Sequence, residues 1–202
     1  VLVALLIVSN AEAAQVRRAT VVRVKTPPRI DGNLDEPVWR EIAHIGDFIQ
    51  ADPYPGKEPT FQTEVRLAFD DNALYMAIRC WDPEPRKILN TTMARDGRPF
   101  DDDSLEIVID PMHDRRSGYY LQLNAAGSMS DGRIIENRLA DVSWDGIWTA
   151  RTRIDDRGWT AELEIPFKTL TFKTSVTTWG FNIERTIARV NEESRWEGAV
   201  LD

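Results

Sequence analysis

The sequence predicts an all-β protein, an antiparallel β-sandwich of jelly-roll type with one or two short helical turns. Apolar residues alternate with polar ones in run after run, the period of two that marks half-buried strands. Turn formers separate the runs, and 202 residues with 42% apolar and 29% charged side chains suffice for one domain with a full core.

Taking the elements in order, Asp31-Gly32 predicts a turn, and Asp35 to Ile42 a short helical turn. Asp35 stands where a cap is needed, and Pro37 is tolerated near a helix start. Trp39 is the side chain this turn buries. Val65, Leu67 and Phe69 then alternate with Glu64, Arg66 and Ala68. Leu74, Met76, Ile78 and Cys80 alternate with Tyr75, Ala77, Arg79 and Trp81. Asp70-Asp71-Asn72 joins the two runs as a hairpin. Leu105, Ile107 and Ile109 form the next inward set, followed by Tyr119, Leu121 and Leu123, with Tyr120, Gln122 and Asn124 on the other side. A second hairpin sets Trp148, Ala150, Thr152 and Ile154 against Trp159, Ala161, Leu163 and Ile165 across Asp155-Asp156-Arg157-Gly158. Thr160, Glu162 and Glu164 point outward. Phe167 to Leu170 reads as another helical turn, and Trp179, Phe181 and Ile183 as a further strand.

The first residues differ in kind. Val1 to Val8 is an unbroken apolar run, too short for a bilayer, which needs about 20 residues. Ala11-Glu12-Ala13 follows as a small-x-small cleavage pattern, so residues 1–13 are expected to be the remnant of a signal peptide and 14–202 the domain itself. Export, to the periplasm, outer membrane or medium, is the resulting expectation. A single cysteine, Cys80, cannot staple the fold, and its phase makes it a core thiol. The formal charge of −8 argues against a nucleic-acid partner, which needs a basic face. His44 and His113 are too few and too far apart for a zinc or triad site.

Several strings occur in a recognisable order: Ile30-Asp31-Gly32-Asn33-Leu34-Asp35-Glu36-Pro37-Val38-Trp39, Asp70-Asp71-Asn72-Ala73-Leu74-Tyr75 leading to Asp82-Pro83, Asp103-Ser104-Leu105-Glu106-Ile107-Val108-Ile109-Asp110-Pro111, Trp159-Thr160-Ala161-Glu162 with Ile165-Pro166, and Gly180-Phe181-Asn182-Ile183. From about Thr20 to the end the chain resembles the family 9 carbohydrate-binding modules. The resemblance implies a β-sandwich that grips sugar between aromatic rings, with calcium in a structural role and no catalysis. Such modules occur beside xylanases, and similar domains open bacterial proteins that continue into an outer-membrane barrel. The leader suits the second setting, and a covalent C-terminal domain is expected beyond Asp202, with the second clamping aromatic.

The resemblance implies that Phe100 is the first sugar-stacking ring and that Glu106 and Gln122 supply polar contacts. Physically, a ring stacks on the apolar face of a pyranose, but a loop Phe can equally plug a sandwich end. Glu106 and Gln122 can equally be solvated. Asp82 and Asp103 are the implied calcium ligands. The adjacent carboxylates Asp101, Asp102 and Asp103 repel unless solvent or a cation neutralises them. The ligand expected is a xylan- or cellulose-type oligosaccharide. The alternatives are a partner-facing envelope domain without sugar binding and a glycoside hydrolase, which needs two carboxyls within about 5–9.5 Å.

Overall fold

The computed structural model describes residues 17–97 and 101–196. The expected leader, Phe100 and the end of the chain at Val200-Leu201-Asp202 lie outside the described residues.

Two sheets form the sandwich. The smaller has the order β1 (Val22–Arg23), β3 (Thr63–Phe69), β4 (Ala73–Trp81), β10 (Gly158–Pro166), β9 (Thr149–Asp155). The larger runs β2 (Ile49–Asp52), β12 (Glu192–Arg195), β11 (Gly180–Ile187), β5 (Ser104–Asp110), β6 (Gly118–Asn124), β7 (Met129–Ile135), β8 (Arg138–Asp141). Pairing is antiparallel apart from β1 with β3.

Both hairpins fold as their periodicity predicts. β3 meets β4 from Thr63↔Cys80 to Phe69↔Leu74, and Val65, Leu67, Leu74, Met76, Ile78 and Cys80 point into the core. Burial in that apolar setting pushes the Cys80 thiol up to about 11, so it packs rather than reacts. On β10, Trp159, Ala161, Leu163 and Ile165 are fully buried. The β9–β10 turn needs Gly158, at φ 131°, because a Cβ there would fall 2.1 Å from the Cys80 carbonyl oxygen. Toward its far end β9 departs from expectation: Ile154, on the sheet's edge strand, is 36% exposed.

A second apolar cluster lies on the outer face of the smaller sheet. The outward residues Ala68, Ala73 and Ala77 are small, so the short helix α1 (Pro37–Glu41) lies close against the strands and buries Trp39. Pro37 occupies the first turn as expected, but the cap position falls to Glu36, with no side-chain cap bond, and Asp35 is exposed.

Candidate functional site

The covering segment brings three acids together. Glu162 faces outward on β10, as its phase predicts, yet it is completely buried rather than solvated, because residues 31–39 close over it. Its Oε2 accepts the Asp31 and Gly32 amides at 3.0 and 2.9 Å, and its Oε1 accepts Trp39 Nε1 at 2.9 Å. Gly32, at φ 87°, supplies the left-handed backbone that aims these amides inward. Burial pushes the Glu162 carboxyl up to about 7 against the pull of those donors. Asp31, Glu36 and Glu162 each place a carboxylate oxygen within 4.8 Å of the others. Glu36 Oε2 is buried without a hydrogen-bond partner. Three hard oxygen donors with one unpaired buried oxygen fit a divalent cation such as calcium.

The pair expected to hold calcium, Asp82 and Asp103, is indeed brought together, at the end of β4 and the start of β5. The space between them already contains a cation. Arg189 grips Asp82 with Nη1 to Oδ2 at 2.6 Å and Nη2 to Oδ1 at 2.8 Å, and Nη1 lies 3.9 Å from Asp103 Oδ2. Asp103 Oδ1 accepts the Ala188 amide at 3.0 Å, while Oδ2 is buried with no hydrogen-bond partner. The carboxyls respond oppositely. Burial acts to raise both, but the guanidinium holds Asp82 below its ordinary value, whereas Asp103 stays raised. With Arg189 gripping both Asp82 oxygens, this pair offers fewer uncommitted carboxylate oxygens to calcium than Asp31, Glu36 and Glu162.

The neighbouring loop acids have separate roles. Asp101 is exposed, whereas Asp102 is fully buried and accepts from the Thr91 amide, the Thr91 hydroxyl, the Thr92 amide and Asn124 Nδ2. Asn124 Nδ2 also donates to the Thr92 carbonyl at 2.7 Å, and Ser128 Oγ to the Ala94 carbonyl at 2.6 Å. These bonds tether the segment leading toward Phe100 to the β6–β7 end of the larger sheet.

That sheet's outer face carries Glu106 and Gln122, the residues expected to meet sugar. Glu106 and Gln122 are directly opposed cross-strand partners, and the same row continues to Glu184 and Arg195 on one side and Ser130 on the other. Gln122 is nearly buried, its Oε1 accepting the Tyr120 hydroxyl at 2.8 Å and the Ser130 hydroxyl at 3.2 Å. Burial, then the adjacent Glu184, pushes the Glu106 carboxyl up to about 7, with Arg195 opposing. Arg195 bonds Glu184. Sequence reasoning singled out Glu106 and Gln122 but passed over Tyr120, Ser130, Glu184 and Arg195. The alternation that turned Tyr120 outward was the one available signal.

The two glutamates pushed up to about 7 point away from each other, on opposite outer faces of the sandwich. With two layers between them, packed about 10 Å apart, they cannot flank one glycosidic bond.

Among the described residues, two packed sheets leave a polar, partly buried row on the outer face of the larger one, a surface suited to holding a ligand. The family model "carbohydrate family 9 binding domain-like" matches residues 30–194, and the chain belongs to that family of non-catalytic modules. Among solved structures it is similar to a family 9 module from Caldicellulosiruptor kristjanssonii in complex with cellotriose, at 20% identity, TM-score 0.63, covering 90% of each chain. The same organism's family 9 module in complex with glucose is 20% identical, with TM-score 0.62, covering 88% of this chain and 85% of that one. A candidate carbohydrate-binding protein from Bacteroides uniformis is 16% identical, with TM-score 0.66 and 90% coverage of both. A comparison with curated proteins by sequence finds no match.

Proposed function

We propose that this domain binds xylan- or cellulose-type oligosaccharides, without cleaving them, on the outer face of the larger sheet. The observation that carries the reading is the register of Glu106 with Gln122, which sets a carboxylate acceptor beside an amide whose oxygen two hydroxyls already occupy. Hydroxyl-rich ligands need such paired acceptors and donors. Phe100, three residues before Asp103, adds the apolar ring. Family membership and the cellotriose and glucose complexes of the similar modules support the same assignment.

Calorimetry with xylan- and cellulose-derived oligomers tests it. Phe100→Ala abolishes the signal, whereas Gln122→Ala, which removes a hydrogen bond worth about 0.5–1.5 kcal/mol, weakens it by roughly two- to tenfold. Absence of binding, or binding indifferent to Phe100, replaces this reading with a partner-facing envelope domain.

The finer setting follows from the same sequence features: an exported domain of a larger carbohydrate-active or envelope protein, stabilised by calcium. We place the ion at Asp31, Glu36 and Glu162 because their oxygens converge and Glu36 Oε2 has no other partner. A ligand of the native state at a hundredfold excess over its dissociation constant adds about 2.7 kcal/mol, or roughly 5–10 °C in melting temperature. Chelation therefore lowers the melting point by that order, and Glu36→Gln removes the difference. Equal melting in chelator and in millimolar calcium rules the ion out.

A further inference from the structure

The outer face of the larger sheet is unbalanced in charge. Glu106, Glu184 and Glu193 face a single described guanidinium, that of Arg195. Arg195 is committed, bonding Glu184 and standing 3.9 Å from Glu193 Oε2. Glu106, at the centre of the row, receives no hydrogen bond from any described residue. Beside it, Gln122 is 3% exposed, and its Nε2 donates to nothing among the described residues, although hydroxyls pin its Oε1. Buried polar side chains are normally paired. Here a half-buried carboxylate and the amide donor of a nearly buried glutamine, adjacent in one row, both point to the outer face without a partner among the described residues.

We propose that this face selects sugars by charge, taking amino sugars ahead of neutral ones and rejecting uronic acids, with Glu106 and Glu184 meeting the ammonium and Gln122 a neighbouring hydroxyl oxygen. The inference rests on the carbohydrate reading above. A uronic acid adds a fourth carboxylate to three that are already close, whereas an ammonium brings both the missing charge and donors for the unpaired Glu106 oxygens. Burial and Glu184 already raise the Glu106 carboxyl to about 7, so the cluster is short of positive charge near neutrality. The charged and titratable groups that bear on it are Glu184 from β11, Glu193 and Arg195 from β12, and Tyr120 from β6. A bound ammonium favours the ionised carboxylate, and its binding near neutral pH therefore releases a proton.

The test compares three β-1,4-linked trimers on the full chain by titration near neutral pH: a glucosamine trimer, cellotriose, and a glucuronic acid trimer. One unlike pair at contact in a water-like dielectric is worth about a factor of five. The glucosamine trimer is expected to bind at least about fivefold tighter than cellotriose, and the uronate about fivefold weaker or not at all. The preference shrinks in about 0.5 M salt, where the screening length falls to roughly 4 Å. Glu184→Gln and Glu193→Gln each narrow the ratio of amino to neutral affinity, and the titrations of the unaltered chain decide the matter even where a variant fails to fold. Equal affinities for the amino and neutral trimers, or tighter binding of the uronate, overturn the charge selection while leaving carbohydrate binding in place. Failure of all three to bind overturns the carbohydrate reading itself, and this inference with it.

Discussion

Arg189→Met is expected to destabilise the fold by about 3–5 kcal/mol, the cost of removing one partner from a buried ion pair. The variant takes away the guanidinium that grips Asp82, 1% exposed, beside the fully buried Asp103, and leaves the buried Arg185 as the cation still acting on both. Asp82 loses both of its guanidinium bonds and keeps only the Glu84 amide, at 2.8 Å. In a domain of this length each kcal/mol moves the melting point by about 2–4 °C, so thermal denaturation should show a drop of roughly 6–20 °C. Arg189→Lys retains the charge but not the two-pronged grip, and falls between. The Met variant, unlike the parent, should also regain stability in millimolar calcium, since the Asp82 carboxylate then lacks its paired guanidinium. A loss below about 1 kcal/mol, typical of a surface pair, defeats the assignment of Arg189 as the buried ion-pair partner of Asp82.

Trp39→Ala should cost about as much, roughly 3–5 kcal/mol, by emptying the second apolar cluster. Trp39 is 2% exposed and packs among Val24, Ile42, Ala68, Ala73, Tyr75 and Ala77. Its indole also donates to Glu162, so truncation removes both packing and a donor from a buried carboxyl. Trp39→Phe separates the effects, because much of the ring volume stays while the donor goes, at about 1–3 kcal/mol for the unmet acceptor. Denaturant unfolding of both variants is the measurement. Equal losses for Ala and Phe mean that the hydrogen bond dominates. A neutral Trp39→Ala means that the N-terminal cover contributes nothing to stability.

The hairpins, the buried Cys80 and the helical turn carrying Trp39 were legible because each is local. Strand periodicity, a turn former or a proline at a helix start lies within a few adjacent residues, and neighbouring strands pair with each other. Glu106 and Gln122 were legible for a related reason, since β5 and β6 follow one another and outward phase alone sets them on one face. Glu162 was not, because its cover comes from Asp31 and Gly32, more than a hundred residues away, and alternation reports the direction of a side chain but not what lies over it. The same limit hid Glu184 and Arg195, whose strands join the sheet from the far end of the chain. It also hid Arg189, whose guanidinium lies between two aspartates that the sequence had already paired. By itself the sequence determined the sandwich, its inward residues and a polar face. Only the tertiary structure decided which charges on those faces meet, because register between distant strands is set by the packing of the whole core rather than by any local run.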